Sequence, residues 1–431
     1  MNKKKIVYVP LAVDILHKGH INIIKIAKNY GRVIVGLLTD KAIVKYKELT
    51  ILNFEERKNL VKNLKYIDQV VAQDNYDYEE ILNRIKPNYF VHGDDWKFDN
   101  RKIVRKKVIK ILKKWNGRLI EPKYTKDVSS SIIKNKILEL SSTSNRVSRL
   151  KRLMDSKDIT RILESHNSLT GLIIENIKIN NNKKNLEFDG MWSSSLTDSA
   201  TKGLPDNSSL SFSARISSLN DMMDVTTKPI VFDADNGGQI EHLPFLIRSL
   251  ERSGASAIIM EDKVGLKKNS LFKNQAGTKQ DKPTLFAKKI KKICNTRQSQ
   301  DFMVIARIES FILGKGLKDA LHRAEIYSKA GADAILIHSK SKNSDEIFKF
   351  SRIYRKLNMK KPLVSVPSTY SKTLEKELIK NGFQMVIYAN HLIRASYKAM
   401  SDAAKEILKN KRTYNIEKKI SKISDVLTLI E

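Results

Sequence analysis

Thiols are almost absent: Cys294 is the only cysteine in 431 residues. That excludes an internal disulfide and any multi-cysteine zinc site. Long apolar runs are missing too, and none approaches the roughly 18 residues that a membrane-spanning helix requires. The basic start, Met1-Asn2-Lys3-Lys4-Lys5-Ile6, has no apolar signal region behind it. The expected location is therefore the cytoplasm, with no membrane partner. Acidic residues are in short supply: 47 Asp and Glu face 80 Lys and Arg, a net charge of +33. So basic a chain suits polyanions. A nucleic-acid arm would concentrate that charge, however, and residues 1–150 carry +16 against +17 in the rest. Even enrichment in Lys, Asn and Ile reads as compositional bias. Small phosphorylated molecules, not nucleic acid, are the expected partners.

What is present supports two folded domains. The chain is 41% hydrophobic, enough for real cores, and its length suits two domains. Short β runs at 6–9, 33–38, 69–72, 89–92 and 118–120 alternate with amphipathic stretches at 21–29, 55–64, 78–85 and 102–114. Asn53 and Glu56 form a capping-box pair for the second stretch. Regular alternation of this kind predicts an α/β, doubly wound parallel sheet. A further helix follows Ser129-Ser130-Ser131, and Ser141-Ser142-Thr143-Ser144-Asn145 reads as a linker. The expected division is a first domain at 1–140, a linker at 141–150 and a second domain at 151–431.

Eight β runs follow, at 159–163, 188–192, 230–232, 257–260, 303–306, 334–337, 363–366 and 385–388. Eight strands with intervening helices predict a (β/α)8 barrel. Ser193-Ser194-Ser195, Asp233-Ala234-Asp235, Glu261-Asp262-Lys263, Arg307, His338 and Asn390-His391 each follow one of them. Polar residues therefore gather at the barrel end where this fold places active sites.

Two constellations carry chemistry. His17-Lys18-Gly19-His20 sits between a β run and a helix. A helix N-terminus offers free N–H groups and a positive dipole end, both suited to phosphate, and two imidazoles add donors for a phosphoryl transition state. In the second half, Asp233, Asp235 and Glu261 supply carboxylates with little thiol or imidazole nearby, which favours Mg²⁺ or Mn²⁺ over zinc. The segment from Glu261 to Ser270, with a glycine, lysines and an amide, reads as a lid closing over a phosphate.

Residues 1–140 resemble the cytidylyltransferase branch of the H-x-G-H nucleotidyltransferases. The resemblance rests on Asp14, His17-Lys18-Gly19-His20, Thr39-Asp40, Glu56-Arg57-Lys58, Tyr66-Ile67-Asp68, Gly93-Asp94-Asp95-Trp96 and Val128-Ser129-Ser130-Ser131. It departs at Leu11-Ala12-Val13 and around Tyr124. It implies CTP as co-substrate, bound by His17, His20, Lys45, Lys47, Asp94, Ser129, Ser130 and Ser131. Class I aminoacyl-tRNA synthetases share a similar histidine motif, but the domain ends too early for that reading.

The remainder resembles the phosphoenolpyruvate mutase family of the isocitrate lyase superfamily. The matching segments are Phe188-Asp189-Gly190-Met191-Trp192, Asp233-Ala234-Asp235, Glu261-Asp262-Lys263 with Lys267-x-Asn269-Ser270, Ala306-Arg307-Ile308-Glu309, His338-Ser339-Lys340 and Ala389-Asn390-His391. The resemblance implies that Asp233 binds Mg²⁺ while Asp235 and Glu261 order its waters. It assigns Trp192, Ser194, Ser195 and Leu196 to substrate binding, Arg307 to the oxyanions, and Asp206, Lys267, Asn269 and His338 to the migrating phosphoryl group. Related C–C lyases carry a catalytic cysteine in the lid; here Cys294 lies in a helical Lys/Ile stretch, where a structural thiol is expected. Phosphonopyruvate hydrolase shares the lid pattern and remains open as the alternative. Its companion reading for the first domain is a glycerol-phosphate or phosphocholine cytidylyltransferase, or an inactive domain. The fusion implies a bifunctional enzyme of phosphonate biosynthesis that transfers CMP to a phosphonate such as 2-hydroxyethylphosphonate, and the family implies a homo-oligomer.

Overall fold

The computed structural model describes residues 5–46, 48–97, 101–123, 143–181, 184–265, 267–272, 274–357 and 361–430. Two compact units divide the chain. The first runs to residue 141 and takes in Asp155–Lys157 and Ile179–Leu186; the second holds the rest.

The first unit is built on β1 (Ile6–Leu11), β2 (Arg32–Leu38), β3 (Gln69–Gln73), β4 (Tyr89–Val91) and β5 (Arg118–Ile120). They form one parallel sheet in the order β3-β2-β1-β4-β5. Period-two alternation sends β1 side chains to opposite faces. Val7 and Val9 pack with Ile24, Ala27 and Val61, whereas Tyr8 packs with Leu82, Phe90, Trp96 and Ile111. Each face is thereby covered by helices, the doubly wound arrangement that the alternation predicts. A Cβ at Gly36 would lie 1.7 Å from the Tyr8 hydroxyl. The glycine leaves room for that hydroxyl to donate to Gln73 Oε1 at 2.5 Å. The Asn53–Glu56 capping box forms as expected, with backbone contacts of 2.7 and 3.0 Å. Strand order reverses between β1 and β4, and the crevice at their carboxyl ends is where such sheets take ligands.

Beyond β5 come β6 (Thr160–Ser165), β7 (Lys178–Asn181), β8 (Lys184–Glu187), β9 (Gly190–Ser193), β10 (Ile230–Asp233), β11 (Ala257–Glu261), β12 (Lys263–Val264), β13 (Lys279–Gln280), β14 (Met303–Ile308), β15 (Ala334–Ile337), β16 (Leu363–Ser365) and β17 (Phe383–Tyr388); all lie in the second unit except β7 and β8, of which Ile179–Leu186 belongs to the first. Two pairs, β7 with β8 and β12 with β13, are separate two-stranded ribbons. The other eight strands close into a parallel barrel in chain order, β17 pairing with β6. Alternation again divides the side chains. Val231, Ile259, Ile305, Leu336 and Ile387 share the interior cluster with Trp192, while Phe232, Ile258, Val304 and Ile335 pack in the outer one. The segment read as a linker carries helix Thr143–Ser156 from its third residue. Val147 of that helix joins the outer cluster, and Leu150 and Met154 join the interior one. Among the described residues no helix is long and apolar enough to cross a membrane.

Candidate active site

The barrel strands end where the chemistry gathers. Trp192, Ser194, Ser195, Leu196, Asp206, Asp233, Glu261, Lys267, Asn269, Ser270, Arg307 and His338 line one cavity, together with Val366, Ser368 and Asn390. Every barrel residue to which the resemblance assigns a role lines it except Asp235, which lies beside it through Lys267.

The lid forms the near wall. Lys267 Nζ reaches Asp206 at 2.6 Å and Asp235 at 2.5 Å, and also donates to Ser195 Oγ. Asn269 Nδ2 donates to the other Asp206 oxygen at 2.6 Å. Burial disfavours the Lys267 charge, but Asp235, Asp233 and Asp206 outweigh it and raise its pKa. Its ammonium stays charged.

Asp233 is held from three directions. Ser195 Oγ donates to its Oδ2 at 3.0 Å, and the Asp235 N–H donates to its Oδ1 at 3.1 Å. Arg215 Nη1 donates to its backbone carbonyl at 2.5 Å. Burial opposes ionisation, yet Lys267, Arg307 and Arg215 hold the carboxyl below the usual range. Asp235 has φ +51, a left-handed conformation uncommon for a residue with a Cβ.

The third cluster centres on Glu309, fully buried. Arg307 Nε donates to its Oε1 at 2.6 Å, and Ser270 Oγ to its Oε2 at 2.5 Å. His338 Nδ1 lies 2.8 Å from Oε1. It also lies 3.0 Å from Arg307 Nη2, and it cannot serve both as donor and as acceptor. A carboxylate only accepts and a guanidinium only donates, so the imidazole tautomer decides which of the two contacts is the hydrogen bond. Burial and the Arg307 charge lower the imidazole's pKa. Glu261 sits 3.2 Å from Arg307 and 3.3 Å from Lys263; burial nevertheless pushes its carboxyl up to about 7. Two groups on the wall, Trp192 Nε1 and Ser368 Oγ, are buried with no hydrogen-bond partner among the described residues. A ligand oxygen would satisfy them.

The three carboxylates expected to hold a metal lie at adjacent strand ends, and all their donors are oxygen. Among the described residues no group of three acidic, imidazole or thiol side chains closes around a single point. Such an open set suits Mg²⁺, which keeps several waters and takes one or two carboxylates. The donor chemistry fits.

In the first unit, His17 caps helix Lys18–Lys28. Its Nδ1 accepts from the Gly19 N–H at 3.1 Å, and His20 Nδ1 accepts from the His17 N–H at 3.4 Å. Accepting at Nδ1 sets the neutral form of each ring with its proton on Nε2. Their centroids lie 4.0 Å apart. Asp94 follows β4, with its N–H bonded to Pro122 O at 3.1 Å. Lys45 is exposed in the turn after helix Asp40–Ile43. Lys47, Ser129, Ser130 and Ser131, with Tyr124, lie outside the described residues.

Sequence reasoning missed Arg57 as a clamp. Fully buried, it joins Ala12 O, Leu38 O and Asp40 at 2.6–2.8 Å. It also missed the Arg215–Asp198 pair at 2.9 Å. Only the quoted motif around Arg57 signalled the first. Cys294 is half-buried on helix Pro283–Thr296, its thiol 3.3 Å from Gly331 O.

Comparison with known proteins divides the chain in the same way. The family model for phosphoenolpyruvate phosphomutase matches residues 150–408, and a cytidylyltransferase-like model matches residues 13–136. A phosphoenolpyruvate phosphomutase of Tetrahymena pyriformis is 35% identical over 69% of this chain and 95% of its own length. A solved phosphonopyruvate hydrolase, in complex with oxalate and Mg²⁺, is 29% identical with a TM-score of 0.58, covering 66% of this chain and 94% of its own. An ethanolamine-phosphate cytidylyltransferase of Dictyostelium discoideum is 37% identical over 97 residues, 22% of this chain and 27% of that protein.

Proposed function

The chain belongs to the phosphoenolpyruvate phosphomutase family, and from that premise we propose that its barrel interconverts phosphoenolpyruvate and 3-phosphonopyruvate. One observation carries this reading: Lys267, Asn269, Asp206, Arg307 and His338 converge on a single cavity walled by the lid. In the forward direction the enol P–O bond breaks and a P–C3 bond forms within the same molecule. A loose phosphoryl transfer needs positioning and positive charge more than covalent catalysis. Lys267 supplies charge to the phosphoryl oxygens, and Asn269 and Asp206 orient the group. Arg307 and the backbone donors near Ser195 and Leu196 hold the oxyanions, and Trp192 Nε1 takes a substrate oxygen. His338 borders the same space. Asp233, with Asp235 and Glu261, would hold Mg²⁺, or Mn²⁺ in its place; when bound, the ion opposes the negative charge developing on the substrate.

The first unit is cytidylyltransferase-like. Its proposed activity is transfer of CMP from CTP to a phosphonate such as 2-hydroxyethylphosphonate, with pyrophosphate leaving. The two histidines at the N-terminus of helix Lys18–Lys28 support phosphate binding there. Boundaries at 1–140, 141–150 and 151–431, a cytoplasmic location, phosphonate biosynthesis as the setting and a homo-oligomer belong to the same proposal. Helix His391–Asn410 supports assembly, since none of its residues is buried while Tyr397, Met400 and Leu408 are exposed.

Phosphonopyruvate incubated with the protein and Mg²⁺ should give phosphoenolpyruvate, followed by phosphorus NMR. Pyruvate and inorganic phosphate would instead assign the barrel as a hydrolase, the reading that the 29% identical relative favours. Pyrophosphate release from CTP, screened with hydroxyethylphosphonate, aminoethylphosphonate, glycerol phosphate and phosphocholine, tests the first unit. A phosphonate should be the preferred acceptor.

A further inference from the structure

Lys267, Asn269 and Ser270 all line the cavity, but Ser270 also bonds to residues of the barrel strands. Ser270 is buried. Its hydroxyl donates to Glu309 Oε2 at 2.5 Å and accepts from Lys263 Nζ at 2.7 Å and Arg307 Nη2 at 3.0 Å. One proton and two lone pairs are all a hydroxyl has, so three charged partners saturate it. Arg307 and Glu309 come from the end of barrel strand β14, and Lys263 from β12 at the start of the lid segment. Lys263 also donates to Lys268 O at 2.9 Å, gripping the lid at a second point. Glu309 in turn orients both Arg307 and His338.

We propose that Ser270 is a positioning residue that couples lid closure to the placement of Arg307 and His338. With the lid down, the hydroxyl completes the Glu309 shell and fixes Arg307 from a second side. With the lid lifted, Glu309 and Lys263 each lose a partner, and the cavity admits water while its donors are misplaced. Hydrogen bonds to charged groups are the stronger class, so this contact biases the lid toward closure. The proposal rests on the mutase reading in one respect: it predicts a leak. Water admitted to the cavity would add its oxygen to the phosphorus of phosphonopyruvate. The P–C3 bond would break with its electron pair left on C3, and the resulting enolate would take a proton from solvent, giving pyruvate and inorganic phosphate.

Ser270→Ala, and the near-isosteric but weakly bonding Ser270→Cys, are compared with wild type by phosphorus NMR on phosphonopyruvate. The expected result is a rise of about tenfold in the ratio of phosphate to phosphoenolpyruvate, the size that loss of one charge-assisted hydrogen bond supports. Ser270→Thr, which keeps the hydroxyl, should bring the ratio back toward wild type. A fold defect lowers both products together and does not move the ratio. Limited trypsin digestion at Lys267 and Lys268 provides the second readout: cleavage should speed up by about tenfold in the Ala and Cys variants. Wild-type product ratios and wild-type cleavage in both variants would overturn the proposal. Should wild type itself release only pyruvate and phosphate, the mutase reading fails, and the cleavage rates alone decide the role of Ser270.

Discussion

The two candidate sites solve the same problem, placing charge near phosphorus, under opposite conditions of solvent. In the barrel, Asp233, Glu261, Lys263, Glu309 and His338 are all buried, and the last four pair among themselves. In the first unit, His17 and His20 are only half-buried and Lys45 is exposed, with backbone groups rather than side chains orienting the rings. Buried charges act at low effective dielectric and need no reorganisation at the moment of reaction, which suits a transfer that water would spoil. A helix end open to solvent suits a large, mobile nucleotide whose leaving group must escape. The comparison predicts that the barrel tolerates change of medium and not of residue. The first site should be the reverse.

The sharpest break exchanges the damage. Asp233→Ala should lower barrel turnover by about 10³-fold or more while leaving CTP-dependent pyrophosphate release intact, because the charge it holds is local to one site. His20→Ala should do the opposite. Loss of both activities in either variant would mean the sites are not separate catalysts. A smaller effect tests the lid: Asn269→Ala should slow turnover by about 10²-fold, with an unchanged melting transition. Near wild-type turnover would remove Asn269 from the chemistry. Salt separates the sites more gently. Raising ionic strength from about 0.05 to about 0.5 M shortens the screening length severalfold. KM for CTP should rise with it, while KM for phosphonopyruvate moves less. An equal response would contradict the contrast in exposure.

Much of this was legible in the sequence because the signals are local. Strands such as Ala257–Glu261 and Ala334–Ile337 are compact and largely apolar, with Glu261 ending the first and His338 directly following the second, so locating the strand located the candidate residue. Elements without local periodicity stayed hidden. Strands β12 and β13 have two residues each, too few to show alternation. Arg215 lies within helix Phe212–Val225 and becomes part of the site only because that helix returns it to Ser193 O and Asp233 O. The linker reading followed the polar run Ser141–Asn145, whereas Val147, Leu150 and Met154, at helical spacing, already marked a buried face. Ser270 was visible as a motif letter, but its three charged partners come from elsewhere in the chain and no spacing announces them.

The smallest expected effect concerns acid, and it sharpens the contrast from the side of stability. Glu121 follows β5 and accepts from Trp96 Nε1 at 2.7 Å, Arg105 Nε at 2.7 Å and Arg105 Nη2 at 2.8 Å. Although burial alone would raise it, Arg105 and Trp96 pull its pKa down to about 2. A folded-state pKa below the unfolded value means that the stabilisation is fully present above the unfolded value, 4.5, and is lost as pH falls through about 2. Allowing for screening at a partly exposed site, the contribution should be about 1–2 kcal/mol. Glu121→Gln should therefore weaken the first unit by that amount at neutral pH. It should also flatten the dependence between pH 4.5 and about 2, because an amide does not titrate. Hydrogen exchange at the Trp96 indole N–H, followed in the full chain, reports on this unit and not on the barrel. Parallel pH profiles for wild type and variant would show that Glu121 carries none of the acid sensitivity.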